Sequence, residues 1–127
     1  MSGLTVDYAP RKGYLYAMVR GEYRLADAIG AYRQVLQSAA RERIARILMD
    51  CTSMSGTPTM DERRDFALFM AEEQAKYSGF ADGLQIAILV NAQAMDPGRY
   101  TQTVANNRGV RMRASESRQE LLSWLGV

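Results

Sequence analysis

Asp50 ends a short apolar run at residues 44–49, and Cys51, Thr52, Ser53, Ser55 and Thr57 follow it at once. A carboxylate, a thiol and a row of hydroxyls are thereby gathered where a buried strand would open into a loop, the place where open α/β sheets bind ligands. Asn91, Gln93 and Asp96 follow the next apolar run at 84–90, so parallel strands would bring both groups to one rim. Hydroxyls ahead of a helix suit an anion or a transferred phosphate, because a helix start carries free N–H groups and partial positive charge. Loops and N-caps use the same residue types, and Thr59 is expected to cap. A carboxylate at the end of an apolar strand must be hydrogen-bonded if buried, so Asp50 is expected to anchor the following loop. Work as a catalytic acid or base would need Asp96, Asp61 or Ser55 within hydrogen-bond reach. Cys51 is the only cysteine, and its acidic neighbour raises a thiol pKa, which points to an inert structural thiol.

The sequence contains no histidine. That count removes Ser-His-Asp and Cys-His nucleophile systems, His-bearing zinc sites and an imidazole base. Neither G-x-G-x-x-G nor G-x-x-x-x-G-K-[ST] occurs, so no Gly-rich phosphate loop is present. No catalytic residue, metal or cofactor is expected, and the reading is non-enzymatic. Eight methionines are present, and Met54, Met60, Met70 and Met95 fall in or beside the segments around the rim. With Phe66, Phe69 and Tyr77 they are candidates for an adaptable apolar pocket, although Met also fills core gaps. A carrier of a small apolar molecule or lipid is thus the alternative function, and it requires a cavity of roughly 300 Å³ or more.

These residues need elements to hold them. Leu4, Val6 and Tyr8 alternate with polar neighbours, and residues 14–19 form a second extended run after Pro10-Arg11-Lys12-Gly13, which together predict a β-hairpin turning at 10–13. Leu25, Ala28, Ile29, Tyr32, Val35, Leu36 and Ala39 recur at helical spacing, which predicts a helix from 25 to about 43. Residues 44–49 and 84–90 read as buried parallel strands, each too short for a helix. Residues 51–58 read as loop, and Thr59 with Glu62 forms a capping box for a helix running to about 78. Asp96-Pro97 predicts the start of a third helix ending at Gly109. Residues 110–114 read as an edge strand, and Ser115 is expected to cap a last helix carrying Leu121, Leu122, Trp124 and Leu125. The order β-β-α-β-α-β-α-β-α implies an α/β fold with a mainly parallel sheet of about five strands flanked by helices.

A chain of 127 residues fits a single domain, 1–127. The beginning of the chain lacks the basic start and apolar stretch of an export signal, and no apolar run approaches the roughly 20 residues of a membrane span. With a lone cysteine, a cytoplasmic location is expected. The net charge is only +2, which gives no basis for a nucleic-acid partner. It is unevenly spread: residues 59–82 carry six acids against three bases, and 97–127 carry five arginines against two acids. This asymmetry suits a protein partner.

The strand Ile47-Leu48-Met49-Asp50 leading through a Thr/Ser/Gly loop into a helix, the strand at 84–90, the segment Val104-Ala105-Asn106-Asn107-Arg108-Gly109-Val110-Arg111 and the closing Leu122-Ser123-Trp124-Leu125 together resemble the SpoIIAA-like family. That family is related to STAS domains, the class that includes anti-sigma-factor antagonists. The resemblance covers most of the chain. It implies a mixed sheet flanked by helices, no enzymatic turnover, a regulatory or ligand-carrying role through a protein partner, and the option of a homodimer. It also implies a phosphorylated serine at the start of the helix after the third strand, in an Asp-Ser-Ser-Gly context. Here the stretch reads Met54-Ser55-Gly56-Thr57-Pro58-Thr59, which lacks the doublet, and Ser55 is its nearest match. Asn107 and Arg108 have a plain role in closing the third helix and are secondary candidates for partner contact.

Overall fold

The computed structural model describes residues 3–77, 79–95 and 99–127. β1 (Leu4–Arg11) and β2 (Tyr14–Glu22) form the hairpin, followed by α1 (Leu25–Glu42), β3 (Arg46–Ser55), α2 (Met60–Gln74), β4 (Gln85–Leu89), α3 (Tyr100–Asn107), β5 (Met112–Ser115) and α4 (Arg118–Leu125). The sheet order is β1-β2-β3-β4-β5. β1 pairs antiparallel with β2, and every later neighbour is parallel. The expected element order and mixed sheet are therefore observed.

Strand alternation divides the core in two. Leu15, Ala17, Val19, Ile47, Met49, Ile86 and Ile88 face α1, α2 and α3, with Tyr32, Val35, Leu36 and Met70 at the centre of the larger cluster. Tyr16, Leu48, Ala87 and Leu89 face the other way and pack against Leu121 and Leu125 of α4. Three helices thus cover one face, and α4 covers part of the second.

Several boundaries differ from the sequence expectations. β3 does not stop at Met49. It runs on to Ser55, because Ser53, Met54 and Ser55 pair with Arg20, Gly21 and Glu22 of the longer β2 beyond a register shift, so backbone pairing occupies what reads as a loop. Ser115 ends β5, and Ser117 caps α4 in its place, accepting from Glu120 N–H at 3.1 Å. A 3₁₀ turn at Phe80–Gly83 was not expected. The second helix ends at Gln74, short of the expected end near Ser78, and the third begins at Tyr100 with Arg99 at its N-cap, after the expected Asp96-Pro97 start; Ser78, Asp96 and Pro97 themselves lie outside the described residues.

Tyr32 is completely buried, and its hydroxyl has no hydrogen-bond partner among the described residues. Its ring meets Phe66 and Phe69 edge-on at 5.8 and 6.0 Å. Tyr32→Phe keeps both ring contacts and removes an unsatisfied polar atom. It should raise stability by about 1 kcal/mol, read as a higher denaturation midpoint at unchanged slope.

Candidate functional site

Asp50 is 3% exposed and lies opposite Met18 in the β2–β3 pairing. Its side chain is turned to the face that carries α4. One carboxylate oxygen accepts from the Thr52 backbone N–H at 3.0 Å and the Thr52 hydroxyl at 2.6 Å. The other accepts from the Tyr16 hydroxyl and from Arg118 Nη2, the latter at 3.2 Å. Burial by itself would raise this carboxyl's pKa, but the Thr52 and Tyr16 hydrogen bonds and the Arg118 charge outweigh it and hold the group below its ordinary value. Arg118 is the first residue of α4, and its guanidinium also lies over the Tyr16 ring, 5.3 Å from the centroid. The network fastens the middle of β3 to β2 and to the start of α4. It leaves Asp50 no free lone pair directed at a substrate.

The rim lies just beyond this anchor. Asn91, at the end of β4, donates from Nδ2 to the Thr52 carbonyl at 2.8 Å and ties two strand ends together. Ser53, Ser55 and Thr57 are exposed, and the Ser55 hydroxyl makes only a long contact, donating to the Gly21 carbonyl at 3.4 Å. Gly56 turns the chain at φ +88°, which glycine adopts without strain. The capping box then forms as expected: Glu62 Oε1 accepts from Thr59 N–H at 2.8 Å, and Thr59 Oγ1 accepts from Glu62 N–H at 3.1 Å. With Asp61 and Glu62 in its first turn, this helix start is already supplied with negative charge. It suits neutral polar contact better than capture of a free anion. Met60, the first helical residue, is 46% exposed. The structure therefore gathers Thr52, Ser53, Ser55, Thr57 and Asn91 at one rim with Met60. Asn107 and Arg108 end α3 and precede β5, which in a parallel sheet places them at the opposite end. Asp96 lies outside the described residues.

The apolar candidates are scattered. Met54, Phe66 and Met95 line a cavity of about 110 Å³ between the sheet and the helices, together with Val19, Met49 and Cys51. Met70 is fully buried in the core, and Phe69 packs under the Arg33 guanidinium at 5.3 Å. Tyr77 stacks edge-on with Phe80 at 6.4 Å. A drug-sized ligand needs at least roughly 300 Å³, so this void offers little more than a third of the volume for one.

Cys51 is buried beside the cavity, and burial, then the Asp50 charge, push its thiol pKa to about 12. A thiol so protonated is a poor nucleophile. Native protein should react with a thiol-specific chromogenic reagent far more slowly than denatured protein; equal rates would contradict the placement.

Sequence reasoning missed Tyr16 and Arg118. They are 34 and 68 residues from Asp50, and no local pattern marks either. It also missed the buried Arg63 of α2, while Glu73, which the spacing sets on the apolar side of that helix, is buried there. Glu73 accepts from Arg33 at 3.3 Å and Lys76 at 3.1 Å; a charge inside the apolar stripe of α2 was the available signal. Among the described residues no group of three or more His, Cys, Asp or Glu side chains is arranged to hold a metal ion. No described helix is long and apolar enough to cross a membrane.

Comparison of the whole chain with solved structures decides the fold. An anti-sigma factor antagonist from Mycobacterium paratuberculosis superposes with a TM-score of 0.63 over 99% of this chain and 97% of its own, at 10% identity. The chain has a SpoIIAA-like fold. A second structure described in those terms, an uncharacterized DUF3478-family protein from Shewanella loihica PV-4, superposes at 0.57 over 98% of this chain and 95% of its own, at 19% identity. No protein-family model and no curated protein matches the sequence. In this SpoIIAA-like fold the rim of β3, β4 and the start of α2 carries the exposed hydroxyls of Ser53, Ser55, Thr57 and Thr59, and the Asp50 network lies next to it in β3.

Proposed function

We propose that this chain is a non-enzymatic regulatory module that works by docking a protein partner on the rim formed by the end of β3, the end of β4 and the start of α2. The carrying observation is Met60, a large apolar side chain 46% exposed at the start of α2, which closely follows the exposed Ser53, Ser55 and Thr57 in the chain. An exposed thioether set among hydroxyls is adaptable apolar contact with a polar surround, the composition of a protein-binding patch. The fold shared with an anti-sigma factor antagonist supports the same class of role. Two further features agree with it: histidine is absent, and Asp50 is committed to Tyr16, Thr52 and Arg118.

Ser55 is the hydroxyl at which modification would act, because a phosphate there adds about two negative charges to the docking surface. The test is affinity isolation from the host with wild-type, Met60→Glu and Ser55→Glu chains in parallel, each first shown to be folded. A partner should be held by wild type, and Met60→Glu should weaken the purified pair about tenfold or more. Equal binding by wild type and Met60→Glu would remove the rim from the account.

A further inference from the structure

α4 lies over β4 and β5 and reaches β2 only at Tyr16; among the described residues no helix covers the rest of β2 or β1 on that face. Its floor is built from Ala9, Tyr14 and Met18, each partly buried, and from Tyr16. The margin is cationic. Arg11 is exposed, with its guanidinium 5.3 Å from the Tyr16 centroid on the hairpin side, and Arg118 holds the same distance from α4. Lys12 adjoins in the turn. The acids nearby are already engaged: Asp7 with Arg20, Asp50 with Arg118, and Glu22, at the far end of β2, with Arg24 at 4.0 Å. Arg11 has no acidic partner among the described residues.

We propose that this helix-free face is a second interaction surface, distinct from the rim, and that it takes an acidic polypeptide segment with interspersed apolar side chains. Charge selects that occupant. A second copy laid face to face would bring Arg11 and Lys12 of both copies, unpaired among the described residues, to one interface with no free acid of that face to meet them, which is unfavourable. A membrane is disfavoured by shape, since α4 stands beside the floor as a wall one helix diameter, about 10 Å, high. A chain can lie along that step with carboxylates on Arg11 and Lys12 and apolar groups on Tyr14 and Met18. Arg11 then exchanges a lone ring contact for a charge-assisted hydrogen bond.

Fluorescence anisotropy with a dye-labelled peptide of alternating glutamate and leucine tests this on the full chain. Saturable binding that weakens as salt rises is expected, with Arg11→Glu about tenfold weaker and Met60→Glu unchanged. Arg11 is exposed, so its variant should keep the wild-type circular dichroism; Met18→Glu supplies an independent lesion in the floor. The proposal is overturned by no saturable binding of the acidic peptide, by equal binding of the glutamine-for-glutamate peptide, by unchanged affinity in both face variants, or by binding to phosphatidylglycerol vesicles in place of the peptide. Because Met60→Glu leaves this face intact, failure here is distinguishable from failure of the rim.

Discussion

Asp50→Ala should cost about 3 kcal/mol of folding stability, because it removes the one anion from a network whose remaining members cannot replace it. Tyr16 and Thr52 would lose the oxygens that accept their hydroxyls, and Arg118 would lose its counter-charge. Arg118 is about half exposed at 48%, so water recovers part of its solvation and the cost stays below that of a fully buried broken pair. The acid limb of the stability curve should report the same group. The folded protein holds the Asp50 carboxyl below its ordinary value, so folding favours the ionised form. The contribution is complete above the unfolded value of about 4 and is lost as pH falls through the lower folded value. Denaturant melts at pH 7 and pH 3 should therefore show a larger acid loss for wild type than for Asp50→Asn. Equal slopes with pH would remove Asp50 as the ionised anchor.

Gly21→Ala should be comparably damaging for a steric reason. Gly21 has φ +123°, and a Cβ built there would stand 1.8 Å from the Gly3 carbonyl oxygen and 3.2 Å from Leu4 Cα. The obstruction is backbone, so no rotamer relieves it. β1 must move away from β2 just where Glu22 N–H donates to that carbonyl at 3.0 Å. Backbone strain of about 1–3 kcal/mol and overpacking of about 1–3 kcal/mol together predict a loss of roughly 3 kcal/mol or more. Gly30, in the middle of α1, is the matched control. A Cβ there meets nothing within 4 Å, so Gly30→Ala should stabilise by about 0.5–1 kcal/mol. Chemical denaturation of both variants checks the opposite signs.

Local chemistry made much of the fold legible. α1 was readable because its apolar residues return every three or four positions, and the start of α2 because Thr59 and Glu62 satisfy each other's backbone N–H groups. The hairpin and the two buried strands were readable from alternation and from short apolar runs. The continuation of β3 through Ser55 was not, because Cys51-Thr52-Ser53-Met54-Ser55 has loop composition and is made a strand by the length of β2 beside it. Ser115 and Ser117 are equivalent as sequence; the Ser115 hydroxyl accepts from Ser117 N–H at 3.0 Å, and the end of β5 decides between them.

At the site, the rim hydroxyls and Asn91 were found because strand ends in a parallel sheet must converge. The expectation that Asp50 anchors its loop follows from burial and agrees with the Thr52 contacts. Its partners Tyr16 and Arg118 depend on which sheet face α4 covers, and helical periodicity alone does not carry that information. Asn107 and Arg108 were secondary candidates for partner contact because they lead back toward the sheet edge; chain direction sets them at the end of the sheet opposite the rim.

Hydrogen–deuterium exchange on the isolated complex of this chain with its protein partner tests the central claim most directly. Protection concentrated at residues 52–62 and around Asn91, with α4 and the helix-free face unchanged, is the predicted footprint. Protection confined to other surfaces, with the rim exchanging as in the free chain, would contradict the account.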